Sequence, residues 1–255
     1  QNKIKFNTTL THLEKAEVIK AKFSDNSDEN FDFLVVADGI FSTTKSLVLN
    51  KIFQPKYNNS IALRAKIKNS DLRNISIHMG PDFHYVIYPV NQNNECNFVS
   101  ILDKKLTKRD LNDREVLNSK NSLNFIKEII EKNSIIKFEK LYDVKAFPIF
   151  VSDKFPNINK KNIFLSGDAL FACPPSFAQG ASQSIETAQD IFDCIINEAN
   201  ILYKKRINTI SSINFRSKIN HFAFHLSNPI SVSIRNIFLK YLSKNKKFLE
   251  NYLGK

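Results

Sequence analysis

Two short stretches carry the residues best suited to chemistry. In one, an apolar run over 31–37 stops at Asp38-Gly39. In the other, Ile163–Leu165 leads into Gly167-Asp168, a Pro174-Pro175 turn follows, and Gln179-Gly180 opens a segment of helical spacing. A strand that ends at aspartate sets a carboxylate at the lip of a sheet. A helix that starts at glycine offers unpaired backbone N–H groups and a partial positive charge. Such parts can hold a polar or anionic ligand, and in an open parallel sheet ligands bind outside the carboxyl ends of the strands. His221 and His225 stand i, i+4 on a predicted helix and could bind zinc, but no glutamate lies between them and no third ligand is evident in the sequence. Packing beside Phe222 and Leu226 is therefore expected, with no metal site. Cys173, inside the Gly-Asp loop, reads as a small apolar filler.

The elements around these stretches predict a mixed α/β (α+β) chain. Residues 3–10 and 17–23 alternate as strands with a polar turn at 24–30, and the continuous run 31–37 reads as a strand buried on both faces. It is followed by a short helix capped near Ser42. Four strands are expected over 61–67, 75–79, 85–90 and 97–102, a helix over 107–133 and a further strand over 138–147. A helix from Gly180 to about Ala199, another over 201–226, and one or two over 231–253 complete the chain. The domain reading is 1–57 and 151–200 as parts of one ligand-binding domain, 58–150 as an inserted, mostly antiparallel sheet domain, and 201–255 as basic C-terminal helices. At 255 residues, 42% hydrophobic and 24% charged, the chain can bury a sizeable core. No stretch approaches the roughly 18 apolar residues of a membrane span. Three cysteines without metal spacing read as reduced thiols and point to the cytoplasm. Residues 201–255 hold eleven Lys or Arg against one acid, Glu250, and so carry +10 of the net +12. A solvated helical face explains this more simply than a nucleic-acid partner, which is not expected; a peripheral contact with an anionic membrane stays open.

The order of motifs resembles the class A FAD-dependent aromatic-ring monooxygenases, the group of para-hydroxybenzoate and salicylate hydroxylases. The family's strand and A-D-G-x-x-S-x-x-R motif stands as Ala37-Asp38-Gly39-Ile40-Phe41-Ser42-Thr43-Thr44-Lys45, with lysine for the final arginine. Its G-D-A-A-H stretch, proline and G-Q-G-x-N stand as Gly167-Asp168-Ala169-Leu170-Phe171, Pro175, and Ala178-Gln179-Gly180-Ala181-Ser182, then Glu186-Thr187. Residues 79–90 resemble the substrate-domain strand of the salicylate hydroxylase branch, and Arg64 matches an arginine of the preceding strand. The resemblance implies the remainder of a Rossmann-like FAD-binding domain, without a counterpart of the family's G-x-G-x-x-G segment.

What the resemblance implies for chemistry is specific. Asp168 would accept a hydrogen bond from a ribityl hydroxyl of FAD, because an ionised carboxylate is acceptor-only. Gly180, Ala181 and Ser182 would present N–H groups to the pyrimidine edge of the flavin, where the reduced ring carries negative charge. Pro175 would fix the loop beneath the ring, and Asp38-Gly39 would lie near FAD and the groove for NADPH or NADH. His84 is the candidate catalytic base and Arg64 the candidate partner of a substrate carboxylate. Phe171 replaces the family histidine, so no acid–base role falls there. The expected reaction is hydroxylation of an aromatic or quinonoid small molecule, with weak or no FAD binding by the chain alone. The alternatives are a flavin dehydrogenase or reductase of the same fold, or a non-catalytic flavoprotein fragment with a basic C-terminal binding surface.

Overall fold

The structure is a computed structural model that describes residues 4–68, 72–90, 94–113, 116–133, 137–158, 160–197, 201–247 and 250. The chain opens with β1 (Leu10–Lys15), β2 (Ile19–Phe23), β3 (Asp28–Phe31), β4 (Leu34–Val36) and α1 (Thr43–Leu49). Next come β5 (Lys56–Ile67), β6 (Ser76–Gly80), β7 (Phe83–Pro89) and β8 (Cys96–Asp103). Then follow α2 (Lys108–Asn112), α3 (Lys120–Asn133), β9 (Leu141–Val151), β10 (Ile163–Leu165), α4 (Gly167–Phe171), α5 (Gly180–Asn197), α6 (Ile201–Phe224) and α7 (Pro229–Leu242). The chain divides into two compact units, residues 1–58 with 150–218, and residues 59–149 with 219–255. The basic block expected as one piece, 201–255, is shared between them, with the boundary inside α6.

In the first unit β1, β2 and β3 form an antiparallel meander, and β4 pairs parallel with β10, Leu34 opposite Ile163 and Val36 opposite Leu165. Ile19, Val36, Ile163, Leu165, Ala169 and Leu170 are core residues. Two expectations are corrected here. The first strand begins at Leu10 rather than near residue 3, and Ile4 and Phe6 are 76% and 81% exposed. Asn7 takes a left-handed φ of 53°, which interrupts the extended backbone that the alternation implied. The run 31–37 is two strands, not one: Phe31 closes the meander and only Leu34–Val36 pairs with β10. Val35 is 44% exposed, so burial on both faces is not achieved among the described residues.

The second unit holds a sheet of order β6-β7-β8-β5-β9, in which β6/β7, β7/β8 and β5/β8 are antiparallel. One face packs Leu63, Phe83, Tyr85 and Phe98 against Ile126 and Ile130 of α3. The helical spacing of residues 123–130 is what lets α3 cover that face. The opposite face of β7 presents His84, which is nonetheless buried. Helix α7 starts at Pro229, two residues before the expected 231: Asn228 caps it through Oδ1, accepting from Ile230 N and Ser231 N, and proline takes the first turn, where its missing N–H costs nothing.

Candidate flavin cleft at the carboxyl ends of β4 and β10

In the first unit, β4 and β10 deliver their motifs to the same end of a two-stranded parallel sheet. Ser166 N donates to Val36 O at 2.9 Å, which locks the two strand ends together. Gly39 turns the chain with φ +80°, and a Cβ there would meet nothing within 4 Å. Gly167 has φ +58° and a different constraint: a Cβ would stand 2.9 Å from Ser184 Oγ. Glycine at 167 therefore lets α4 approach α5 closely at Ser184. Between these elements lies a cleft of about 400 Å³ lined by Ala37, Gly39, Ser166, Gly167, Asp168, Gly180, Ala181 and Ser184.

Of the eight cofactor residues expected from the sequence, Gly39, Gly167, Asp168, Gly180 and Ala181 line this cleft. Asp38, Pro175 and Ser182 do not. Asp38 Oδ2 accepts from Thr44 N at 3.2 Å, so this carboxylate supports the start of α1. Ser42, the N-cap, accepts from Lys45 N at 2.8 Å through Oγ. The A-D-G-x-x-S stretch is thus a device for satisfying orphan N–H groups at a helix start. Pro175 opens a short 3-10 turn over 175–177, and Ser182 is an exposed residue of α5. Ser184 is a lining residue that the sequence reading missed. Helical spacing could have found it, since it stands one turn beyond Gly180, whose carbonyl it contacts through Oγ at 2.9 Å.

The electrostatics follow from burial. Asp168 is exposed to the cleft, yet its carboxyl is held above the ordinary range by the desolvating walls around it, with Lys45 acting in the opposite sense. Lys45 is only 1% exposed, and its Nζ has no hydrogen-bond partner and sits 4.1 Å above the Phe53 ring. Burial pulls its pKa down, and the charges of Asp38 and Asp168 oppose this. Burial pushes the Cys173 thiol up to about 12, which leaves it an inert filler at neutral pH. Phe171 stacks on Phe155 at 4.2 Å between centroids, an apolar contact where the resembling family places histidine.

Helix α5 is anchored from α6. Arg206 Nε donates to Asp190 Oδ2 at 2.6 Å, and Nη1 donates to Gln183 Oε1 at 3.0 Å and to Glu186 Oε2. Tyr203 Oη accepts from Leu165 N at 3.0 Å and donates to Leu165 O at 2.9 Å, pinning the last residue of β10.

The remaining two predicted site residues lie in the second unit. Arg64 is an exposed residue of β5, with no ion pair among the described residues. His84 is buried on β7, and its Nδ1 stands 2.7 Å from His225 Nε2. Burial, then the neighbouring His225 and His221, lower its pKa to about 3, so its ring is neutral at pH 7. Around it the fold gathers what the sequence kept apart: Asp103 Oδ1 is 2.9 Å from His221 Nε2, and Asp103 Oδ2 is 3.0 Å from His225 Nδ1.

No family model matches the chain. The 6-hydroxynicotinate 3-monooxygenase of Bordetella bronchiseptica is 26% identical over 193 residues, 72% of this chain and 50% of that protein. The chain thus spans about half the length of the curated relative it matches. Among solved structures, Klebsiella pneumoniae HpxO complexed with FAD and uric acid superposes at a TM-score of 0.68 and 16% identity, over 88% of this chain and 60% of that one. A salicylate hydroxylase substrate complex superposes at 0.70 and 15% identity, over 98% and 70%. The mixed α/β architecture with its antiparallel sheets matches these neighbours, as the motifs led one to expect. By its architecture, and by motifs set at one end of β4 and β10, the chain has the fold of the class A FAD-dependent aromatic-ring monooxygenases.

Proposed function

We propose that this chain supplies the flavin-facing cleft and the substrate sheet of an FAD-dependent monooxygenase that hydroxylates an aromatic or quinonoid small molecule with NADH or NADPH as electron donor. The observation that carries the reading is the convergence of Gly39, Gly167, Asp168, Gly180 and Ala181 on one cleft at the carboxyl ends of two parallel strands. These residues fit the cofactor. Asp168 offers acceptor oxygens for a ribityl hydroxyl, and the start of the 18-residue α5 offers N–H groups at Gly180 and Ala181. Gly180, where a Cβ would meet nothing within 4 Å, leaves room for a planar ring. The chemistry FAD supplies when bound is transfer of one oxygen atom of O₂ to an electron-rich ring, the other leaving as water at the expense of NAD(P)H. The protein's part is to orient, to exclude water and to place the positive end of α5 where negative charge develops.

Arg64 would bind a substrate carboxylate, with its exposure on β5 leaving the guanidinium accessible. His84 enters as a neutral ring of low basicity, a weak proton acceptor at neutral pH. A cytoplasmic location belongs to the same reading and is supported by the three free thiols, Cys96, Cys173 and Cys194. Titration of the chain with FAD, followed by quenching of flavin fluorescence, tests the cleft. Binding in the micromolar range, weakened roughly tenfold by Asp168→Ala, is expected for the loss of one charge-assisted hydrogen bond. Binding indifferent to Asp168→Ala would refute this placement of the cofactor. Oxygen uptake coupled to product hydroxylation separates the monooxygenase from a dehydrogenase or reductase of the same fold.

One observation favours a second property. Helix α7 exposes Ile230, Ile234, Ile237, Phe238 and Tyr241, spaced along one side, in a segment that also carries Arg235 and Lys240. No helix among the described residues is long and apolar enough to cross a membrane. A contact with an anionic lipid surface suits this mixture of apolar and basic groups. Retention on anionic liposomes that falls with salt and with Ile234→Ser/Phe238→Ser supports it; retention independent of both counts against it.

A further inference from the structure

We propose that Asp103, His221 and His225 form a binding site for a divalent transition-metal ion of the zinc class, with His84 orienting His225. All four residues belong to the second unit, and none lines the flavin cleft.

The donor atoms are already gathered. One carboxylate oxygen and one nitrogen from each histidine lie within 4.8 Å of one another. Tetrahedral zinc, with bonds of about 2.0–2.2 Å, needs its ligand atoms roughly 3.3 Å apart. The two nitrogens stand 2.9 and 3.0 Å from the two oxygens of the Asp103 carboxylate, within the range that side-chain adjustment around an ion has to cover. His221 lies in the last turn of α6 and His225 one turn on, the i, i+4 spacing that sets two side chains side by side; their rings are 4.2 Å apart between centroids.

The protons point the same way. His225 is 8% exposed, and its Nε2 is committed to His84 Nδ1 at 2.7 Å. Its Nδ1 is buried and pairs with Asp103 Oδ2 at 3.0 Å, at an angle outside ordinary hydrogen-bond geometry. The approach is not that of a donor aimed at an acceptor. A cation shared by two donors requires such a side-by-side arrangement, because both ligands aim at the metal rather than at each other. When His225 Nε2–H donates to His84 Nδ1, Nδ1 of His225 carries a lone pair facing a carboxylate. A metal ion resolves that acceptor-against-acceptor contact. With the ion on Nδ1, the bond between the rings runs from His225 Nε2–H to His84 Nδ1, the orienting role that outer partners of metal-bound histidines serve.

The backbone holds the ligands in place. Asp82 O accepts from Asp103 N at 2.8 Å, and Asp82 N donates to His225 O at 3.3 Å. One residue of the β6–β7 turn therefore ties β8 to the end of α6. The side chains of Asp103 and His221 are 40% and 19% exposed, which leaves an open side for entry of the ion and for a water as fourth ligand. Two imidazoles and one carboxylate select zinc, cobalt or nickel over magnesium or calcium. The ion would clamp the end of β8 to the end of α6.

The test uses the full chain after treatment with a chelator. Titration with Co²⁺ should give visible ligand-field absorption saturating at one ion per chain, and Zn²⁺ should displace it. A hundredfold excess of Zn²⁺ over its Kd should raise Tm by about 5 °C. Asp103→Asn keeps the shape and loses the charge; His221→Ala removes a ligand from a partly exposed position. Each should weaken Zn²⁺ binding by at least tenfold, while the exposed His12→Ala variant binds as the unaltered chain does. FAD titration should be unchanged in His221→Ala, so a failure of the metal site and a failure of the flavin cleft are read separately. Absence of Co²⁺ absorption and of any Tm shift overturns the proposal. So does Zn²⁺ binding that survives both substitutions, since the ion would then be held elsewhere.

Discussion

Gly167→Ala isolates the backbone requirement of the cleft. The native φ of +58° costs an L-residue about 1–2 kcal/mol. The new Cβ would stand 2.9 Å from Ser184 Oγ, with Ser184 Cβ at an ordinary 3.6 Å. Only the hydroxyl must yield, and it can rotate away by giving up its 2.9 Å bond to Gly180 O. That bond contributes about 0.5–1 kcal/mol. The total expected loss is about 1.5–3 kcal/mol, read as a fall in the urea midpoint of the full chain at unchanged slope. Ser184→Ala alone should lose about 0.5–1 kcal/mol. In the double variant the contact is gone and only the backbone cost adds, so the two losses should fall short of additivity by about 0.5–1 kcal/mol. Strict additivity would refute the close approach of α4 to α5. A Gly167→Ala loss under about 0.5 kcal/mol would refute the left-handed backbone as well.

Other substitutions probe the supports of the same cleft. Arg206→Ala strands Asp190 and Glu186 and should cost about 2 kcal/mol in urea unfolding, with Arg206→Lys recovering only part because the fork is lost. Ser42→Ala removes the cap of α1 and should cost about 1 kcal/mol by the same measurement. The fold holds Cys173 and Tyr203 protonated, raising each from its ordinary value, 9.0 and 10.0, to about 12, chiefly by burial. Between those values the unfolded chain releases protons that the folded chain keeps, so stability should fall as pH rises from about 9 toward 12. Cys173→Ala and Tyr203→Phe should each flatten that fall in a series of urea midpoints, and neither should change it below pH 8.

The parts legible in the sequence were those with a local signature. The Asp38-Gly39 turn with Ser42 as cap, and the helix starting at Gly180, are written in consecutive residues, and the structure has both. The strands of the larger sheet alternate and are punctuated by turn residues, so they were found within a few positions. What stayed hidden depends on register and burial. Asp38 looks like a ligand group by its motif, yet its carboxylate is turned to Thr44 N. The contact between Gly167 and Ser184 needs the packing angle of α4 on α5, which no spacing encodes. Asp103 ends a strand 118 residues before His221, and the fold brings them together, with Asp82 in the β6–β7 turn bonded to both Asp103 and His225. A sequence read for local spacing therefore finds the two histidines and not the carboxylate that stands beside them.

The hydroxyl of Tyr203 has a consequence for how the small parallel sheet can grow. Leu165 is the last residue of β10, and both its N–H and its C=O are taken by a side chain. With these two groups taken, that edge offers another strand one backbone pairing site fewer. Strand addition, whether by a further piece of polypeptide or by a misfolded copy, is easier at the outer edge of β4, which carries no strand among the described residues. Phe33 and Val35 stand exposed there, at 43% and 44%. One phenol thus gives a symmetric-looking pair of strands a direction, and Tyr203→Phe should make aggregation through β10 easier.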